Sequence, residues 1–295
     1  MGKLLDKLNQ ASILLGDGAW GTFLYEKGLL AGDCPEYWNL SMPGEVNDIA
    51  LSYVNAGSDI IETNSFGANS IKLSHFDLAS EAFKINYEAA KISRIAAGES
   101  RIVLGSMGPS GTLLMMGDIS EEQLYDSFRE QAIALEQGGA DALIIETMSD
   151  IDEARIAVKA VRENTNCDLV VSFTYSKAGD EYRTMMGVSP EDVMKEFSAD
   201  TNTIIGSNCG NGSREMIPIA KIMSRINPER ILMIQANAGH PLYFDGKTVF
   251  PESPSEMLDH IPALIKSGVR IIGGCCGTTP NHIKALRNYI DHAMK

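Results

Sequence analysis

Short runs of Ile, Val and Leu recur along the whole chain, each a few residues long and apolar without alternation. They are Ile13-Leu14-Leu15, Asp59-Ile60-Ile61, Ile102-Val103-Leu104, Ala142-Leu143-Ile144-Ile145, Leu169-Val170-Val171, Thr203-Ile204-Ile205, Ile231-Leu232-Met233-Ile234 and Val269-Arg270-Ile271-Ile272. Runs this short cannot be helices alone, and continuous apolarity suits parallel strands covered on both faces. The stretches between them are long enough for helices, and several carry start signals. Ser120-Glu121-Glu122-Gln123 reads as a capping box closed by Gly138-Gly139, and Ser189-Pro190-Glu191-Asp192 is a start of the same kind. Ser253-Pro254-Ser255-Glu256 opens a next-to-last helix that Gly268 ends, and Thr279-Pro280 opens the last. Eight strand-helix units in 295 residues average about 37 residues each, the spacing of a (β/α)8 TIM barrel. A doubly wound sheet is the alternative, but no G-x-G-x-x-G turn follows the first run. No linker or composition shift divides the chain, so residues 1–295 are expected to form one barrel domain.

Composition narrows the function classes. With 25 Lys+Arg against 39 Asp+Glu the net charge is −14, which repels phosphate backbones, so nucleic acid is not an expected partner. No apolar run is long enough to span a membrane. The segment MGKLLDKLNQASILLGDG has no signal-peptide pattern, so a cytoplasmic location is expected. Cysteine is scarce and uneven: Cys34, Cys167, Cys209 and the adjacent Cys275 and Cys276. An odd count in such a chain points to thiol or metal chemistry more than to a disulfide framework.

In a barrel the chemistry belongs to the C-terminal ends of the strands. Those positions hold Asp17 to Thr22, Glu62 to Asn69, Gly105 to Gly111, Glu146-Thr147, Asn208-Cys209, Asn237-Ala238-Gly239 and Gly273 to Pro280. Three cysteines therefore fall on one face. Three thiolates with one open position form a catalytic zinc arrangement. Adjacent cysteines reach one metal only where the strand breaks, and Gly273, Gly274 and Gly277 permit that break. Cys34 and Cys167 read as small core residues. Glycines around Ser106 to Gly111 let backbone N–H groups approach a carboxylate closely.

These residues resemble a family, the zinc-dependent, homocysteine-binding S-methyltransferases, over about Leu14 to Asn288. Gly-Gly-Cys-Cys-Gly-Thr-Thr-Pro at 273–280 is the most specific element, supported by 17–22, 62–69, 146–147 and 208–209. Asn237-Ala238-Gly239 and Gly246 to Pro251 are most similar to the homocysteine module of cobalamin-dependent methionine synthase. The resemblance implies Zn²⁺ on Cys209, Cys275 and Cys276, with Asn237 as a fourth ligand when substrate is absent. It further implies that homocysteine sulfur takes that fourth position as thiolate and attacks an activated methyl group, giving methionine. It places Asp17 and Glu146 on the substrate's ammonium group. Asn64 and Phe66 would shape the pocket, and Trp20 would shield it.

The methyl donor is less legible. No Asp-x-His-x-x-Gly cobalamin-binding stretch occurs in the sequence, so the resemblance implies a methyl-corrinoid presented by a separate protein. S-methylmethionine or betaine is the alternative donor, and another thiol the alternative acceptor. A non-catalytic zinc protein would need a fourth Cys or His at a neighbouring strand end, and none is found. A redox barrel using a Cys275–Cys276 disulfide is the remaining reading.

Overall fold

The computed structural model describes residues 2–244 and 246–293. Eight parallel strands form a nearly closed barrel: β1 (Leu14–Leu15), β2 (Ile60–Glu62), β3 (Ile102–Met107), β4 (Ala142–Met148), β5 (Asp168–Phe173), β6 (Ile204–Gly212), β7 (Leu232–Asn237) and β8 (Val269–Gly274). Hydrogen bonding runs β1-β8-β7-β6-β5-β4-β3-β2. No ladder joins β1 to β2, and the gap is stitched instead by Asp59. Its N–H donates to the Leu15 carbonyl (2.7 Å), its carboxylate accepts the Leu15 N–H (2.9 Å), and Arg287 pairs with it at 3.0 Å.

Each of the eight apolar runs is a barrel strand. One parity of each strand packs inside the barrel, where Leu14, Ile60, Ile102, Leu104, Ala142, Ile144, Val170, Ile204, Met233 and Ile271 form one buried cluster. The other parity meets the outer helices in a larger core. Helix Glu121–Gly138 shows how: Leu124, Phe128, Gln131, Ala132 and Leu135 are buried at three- and four-residue spacing. The expected capping boxes at Ser120, Ser189 and Ser253 are all present.

Two features depart from the sequence reading. The next-to-last helix is two short ones, Pro254–Leu258 and Ile261–Lys266. Pro262 has no N–H to continue a ladder, so the chain restarts there. Secondly, helix Lys3–Gln10 closes the barrel's lower end by inserting Leu4, Leu5 and Leu8 into the interior cluster. Asp168 accepts the N–H of Leu5 at its start (3.0 Å), and Arg270 donates to the Leu8 and Ala11 carbonyls at its end (2.7 Å each). Both charges complement the helix dipole. Among the described residues no helix is long and apolar enough to cross a membrane.

Candidate functional site

Above the apolar layers the same inward parity turns polar. Glu62 on β2, Ser106 on β3, Glu146 on β4, Ser172 on β5, Asn208 on β6 and Gln235 on β7 are all buried at the C-terminal end. A cavity of about 310 Å³ opens over this layer. Trp20, Leu24 and Phe66 are among its apolar lining residues, and Cys209, Cys275 and Cys276 line it as well.

The three sulfurs converge because two strands, β6 and β8, end irregularly. The β6–β7 register shifts between Asn208 and Gly212. Within that bulge Cys209 has φ 59° and Gly210 φ 69°. A non-glycine residue in the left-handed region is held there by its surroundings, and such strain concentrates at functional sites. Strand β8 stops at Gly274, where an added Cβ would lie 2.2 Å from Thr278 Oγ1, so only glycine fits. The following loop is pinned on both sides. Cys275 donates its N–H to Ala236 O (2.7 Å), and Cys276 O accepts the N–H of Ala238 (3.0 Å).

All three Sγ atoms lie within 4.8 Å of one another, and no other His, Cys, Asp or Glu joins them among the described residues. The Cys209–Cys276 separation is 3.9 Å. Tetrahedral zinc with Zn–S bonds of ~2.3 Å sets sulfurs ~3.8 Å apart, so the donor set fits zinc with one position left over. Hydrogen bonds from Cys275 and Cys276 hold the Cys209 thiol far below its ordinary pKa. The same hydrogen bonds and burial push the Cys275 and Cys276 thiols up. Asn237 lies beside them, contacting Cys209, and its Oδ1 is buried without a hydrogen-bond partner.

The predicted substrate residues separate into two groups. Glu146 lines the cavity, with Ser106 Oγ donating to one carboxylate oxygen and Asn208 Nδ2 to the other (3.0 Å). Asn208 is oriented in turn by Ser172 Oγ (2.7 Å) and the Thr147 N–H (2.9 Å). Phe66 lines the cavity and packs so closely on Gly108 that a Cβ there would lie 2.5 Å away. Asn64 is a lining residue whose Nδ2 clamps the Pro35 carbonyl (2.9 Å).

Asp17 does not line the cavity. It is fully buried behind it, with Oδ2 accepting from Trp20 Nε1 (3.0 Å) and the Glu62 N–H (2.8 Å). Nor does the 106–111 loop offer a free anion cradle. The N–H groups of Ser106, Gly108 and Ser110 already serve Thr63 Oγ1 (2.9 Å), Phe66 O (2.8 Å) and Glu153 Oε1 (2.7 Å). Glu62, not singled out from the sequence, lines the cavity, and Gln235 Nε2 donates to it at 2.6 Å. Its signal was parity: with Ile60 inside the barrel, Glu62 must point inward too.

Burial governs the charge of all three carboxyls. Desolvation raises Asp17 and Glu146 to about 7 each, against hydrogen bonds that favour their ionised forms. Glu62 is raised well above the usual range by burial, then by the charges of Glu146 and Asp17.

The sequence model of a family described as homocysteine S-methyltransferase matches residues 14–290. Methionine synthases of Mycobacterium leprae and Mycobacterium tuberculosis are each 30% identical over 96% of this chain. The chain spans only about a quarter of their length, 24% and 25%. The metallated homocysteine methyltransferase MmuM of Escherichia coli superposes with a TM-score of 0.79 at 23% identity, over 97% of this chain and 99% of that one, a likeness of fold.

Proposed function

The chain belongs to the homocysteine S-methyltransferase family, and from that premise we propose that it is a zinc-dependent enzyme that methylates the homocysteine thiol to give methionine. We take the methyl donor to be a methyl-corrinoid carried by a separate protein. The convergence of Cys209, Cys275 and Cys276 on one point beside an open cavity carries this reading.

A free alkyl thiol has a pKa near ~8.5 and is mostly protonated at neutral pH; zinc, held by Cys209, Cys275 and Cys276, would supply the Lewis acidity that favours the thiolate form of the substrate. The protein's own part is placement. The cavity admits the substrate from the C-terminal face, and Trp20 and Phe66 exclude water from its flank. Glu146, fixed by Ser106 and Asn208, offers a carboxylate to the ammonium group. For the substrate carboxylate, the N–H groups of Asn64 and Phe66 have no acceptor among the described residues and sit at the cavity wall. Methyl transfer is then displacement at carbon: the sulfur–carbon bond forms as the donor bond breaks, and the leaving group keeps the electron pair.

The corrinoid reading rests on the methionine synthase relatives, whose additional length leaves room for other modules. Methionine formation by the reduced, zinc-loaded protein with homocysteine and one donor at a time tests it. Turnover with methylcobalamin alone supports it. Turnover with S-methylmethionine or betaine moves the donor to a small molecule, and no product with any of them overturns the homocysteine assignment.

A further inference from the structure

Cys209, Asn237 and the Cys275–Cys276 pair stand at the ends of three different strands, β6, β7 and β8. One short segment touches all three ends. Residues 250–252 follow a two-stranded ribbon, Leu242–Phe244 and Lys247–Val249, and run across the loops as a strap. At β8, Phe250 lies on Gly277, the residue after Cys276, where a Cβ would come 2.2 Å from Phe250 Cβ. At β7, Glu252 packs on Gly239, two residues after Asn237, where a Cβ would lie 3.1 Å from Glu252 Cβ. At β6, a Cβ on Gly212, which closes the bulge around Cys209, would lie 3.3 Å from Glu252 Oε2. Backbones approach this closely only where no side chain stands between them.

Hydrogen bonds fasten what the packing brings together. The Glu252 N–H donates to Ala238 O (2.9 Å), and the Ala238 N–H donates in turn to Cys276 O (3.0 Å). The Glu252 carbonyl accepts from His282 Nε2 (3.0 Å), whose Nδ1 takes the N–H of Thr279 (3.2 Å), three residues beyond Cys276. The Glu252 carboxylate accepts from Ser213 Oγ and from the Ser213 N–H (3.4 Å). Ser213 opens helix Ser213–Ile226, which has no side-chain cap of its own, and an acid there complements the helix dipole. His260 Nδ1 completes the corner, 2.9 Å from Ser213 Oγ and 3.5 Å from Glu252 Oε1. The Glu252 side chain is only 10% exposed, and none of residues 250–252 lines the cavity.

We propose that Glu252 is a positioning residue for the metal centre, through which the strap 250–252 holds the β6, β7 and β8 ends where Cys209, Cys275 and Cys276 converge. The assignment rests on the zinc reading above. Ligands on separate loops bind a metal tightly only when the loops are already held at the right separation. Groups outside the ligand set that fix the ligands in this way typically account for about tenfold to a hundredfold in metal affinity. Neither Glu252 nor Phe250 belongs to the sulfur cluster, so each acts on the metal only through the loops.

The test is zinc affinity, measured by competition with a chromophoric chelator, beside urea unfolding of the metal-free proteins. Visible absorption of the Co²⁺-loaded proteins reports whether tetrahedral coordination survives. Glu252→Ala should weaken zinc binding about tenfold to a hundredfold and lower the Co²⁺ band intensity. Phe250→Ala should act in the same direction. Glu252→Gln, which keeps the length and an oxygen for Ser213, should recover part of the affinity. Leu8→Ala, at the other end of the barrel, separates positioning from general loss of stability: it should unfold at lower urea yet bind zinc as wild type does. Should Glu252→Ala not fold, Phe250→Ala and Glu252→Gln decide in its place. Unchanged zinc affinity in the strap variants, or an equal fall in Leu8→Ala, overturns the role given to Glu252. Failure of wild type itself to bind zinc overturns the zinc reading, and this assignment with it.

Discussion

Replacing Asp17 with Asn should make the protein relatively more stable as pH rises. The reasoning starts from burial. Asp17 is fully enclosed, its Oδ1 lacks a partner, and burial lifts its pKa from 3.8 to about 7. The folded state therefore holds the proton after the unfolded state has released it. Stability from this group is full below pH ~4 and is lost as pH climbs through ~7. At ~1.4 kcal/mol per unit the whole loss is ~4 kcal/mol, of which ~2–3 kcal/mol falls between pH 5 and pH 8. Asn is isosteric, keeps an oxygen for the Trp20 and Glu62 N–H groups, and cannot ionise. Urea unfolding of wild type and Asp17→Asn, free of substrate, at pH 5 and pH 8 reads the difference. With a urea slope of ~3 kcal/mol per M, the variant's midpoint should gain about 1 M on wild type between the two pH values. A variant-minus-wild-type difference that is the same at both would refute the desolvation argument.

Other expectations follow from the same geometry. Cys276→Ser should lower bound zinc from about one per chain to a small fraction, measured by atomic absorption after dialysis, with methyl transfer lost in parallel. Chelating the metal from wild type should abolish methyl transfer and expose three further thiols to titration, with both effects reversed by added zinc. In Gly274→Ala the Cβ would meet Thr278 Oγ1 at 2.2 Å. That overpacking should cost ~1–3 kcal/mol in denaturant unfolding and weaken zinc retention. Leu8→Ala, beneath the barrel, should cost ~2–5 kcal/mol in the same assay while leaving zinc content unchanged.

The barrel was legible because its determinants are local and repeated. Eight apolar runs of strand length, separated by helix-length stretches of which several carry capping signals, leave few architectures open. What escaped were elements whose meaning is tertiary. Helix Lys3–Gln10 carries an ordinary amphipathic pattern, and nothing in it announces that Leu4 and Leu8 fill the barrel's lower end. The break before Ile261 was available in Pro262, but Ser253 and Gly268 make a convincing single start and stop around it.

At the site, legibility followed residue type more than position. Adjacent cysteines among glycines announce a metal centre, and the sulfurs do converge. Asp17 beside glycine looked as able to reach a ligand as Glu146, because sequence does not say how deep a loop carboxylate sinks. In the structure Trp20 Nε1 donates to one Asp17 oxygen, and Glu62, not Asp17, lines the cavity wall. Strand parity could have found Glu62, since an acid two residues after an interior Ile in a buried strand points to the barrel axis. The same parity holds for Glu146 after Ile144 and Gln235 after Met233. These residues form a polar storey above an apolar one, and its character follows from what it lacks. Three buried carboxyls and three sulfurs share it, and among the described residues no cationic side chain lines the cavity. Such a layer is unfavourable for the empty protein, because each ionisation opposes the next. Under the proposed function, a divalent metal on the sulfurs and an ammonium group on the carboxylates would relieve that opposition at its two separate ends. The stability that folding loses in this layer would then be returned as affinity for a ligand bearing both a thiol and a positive charge.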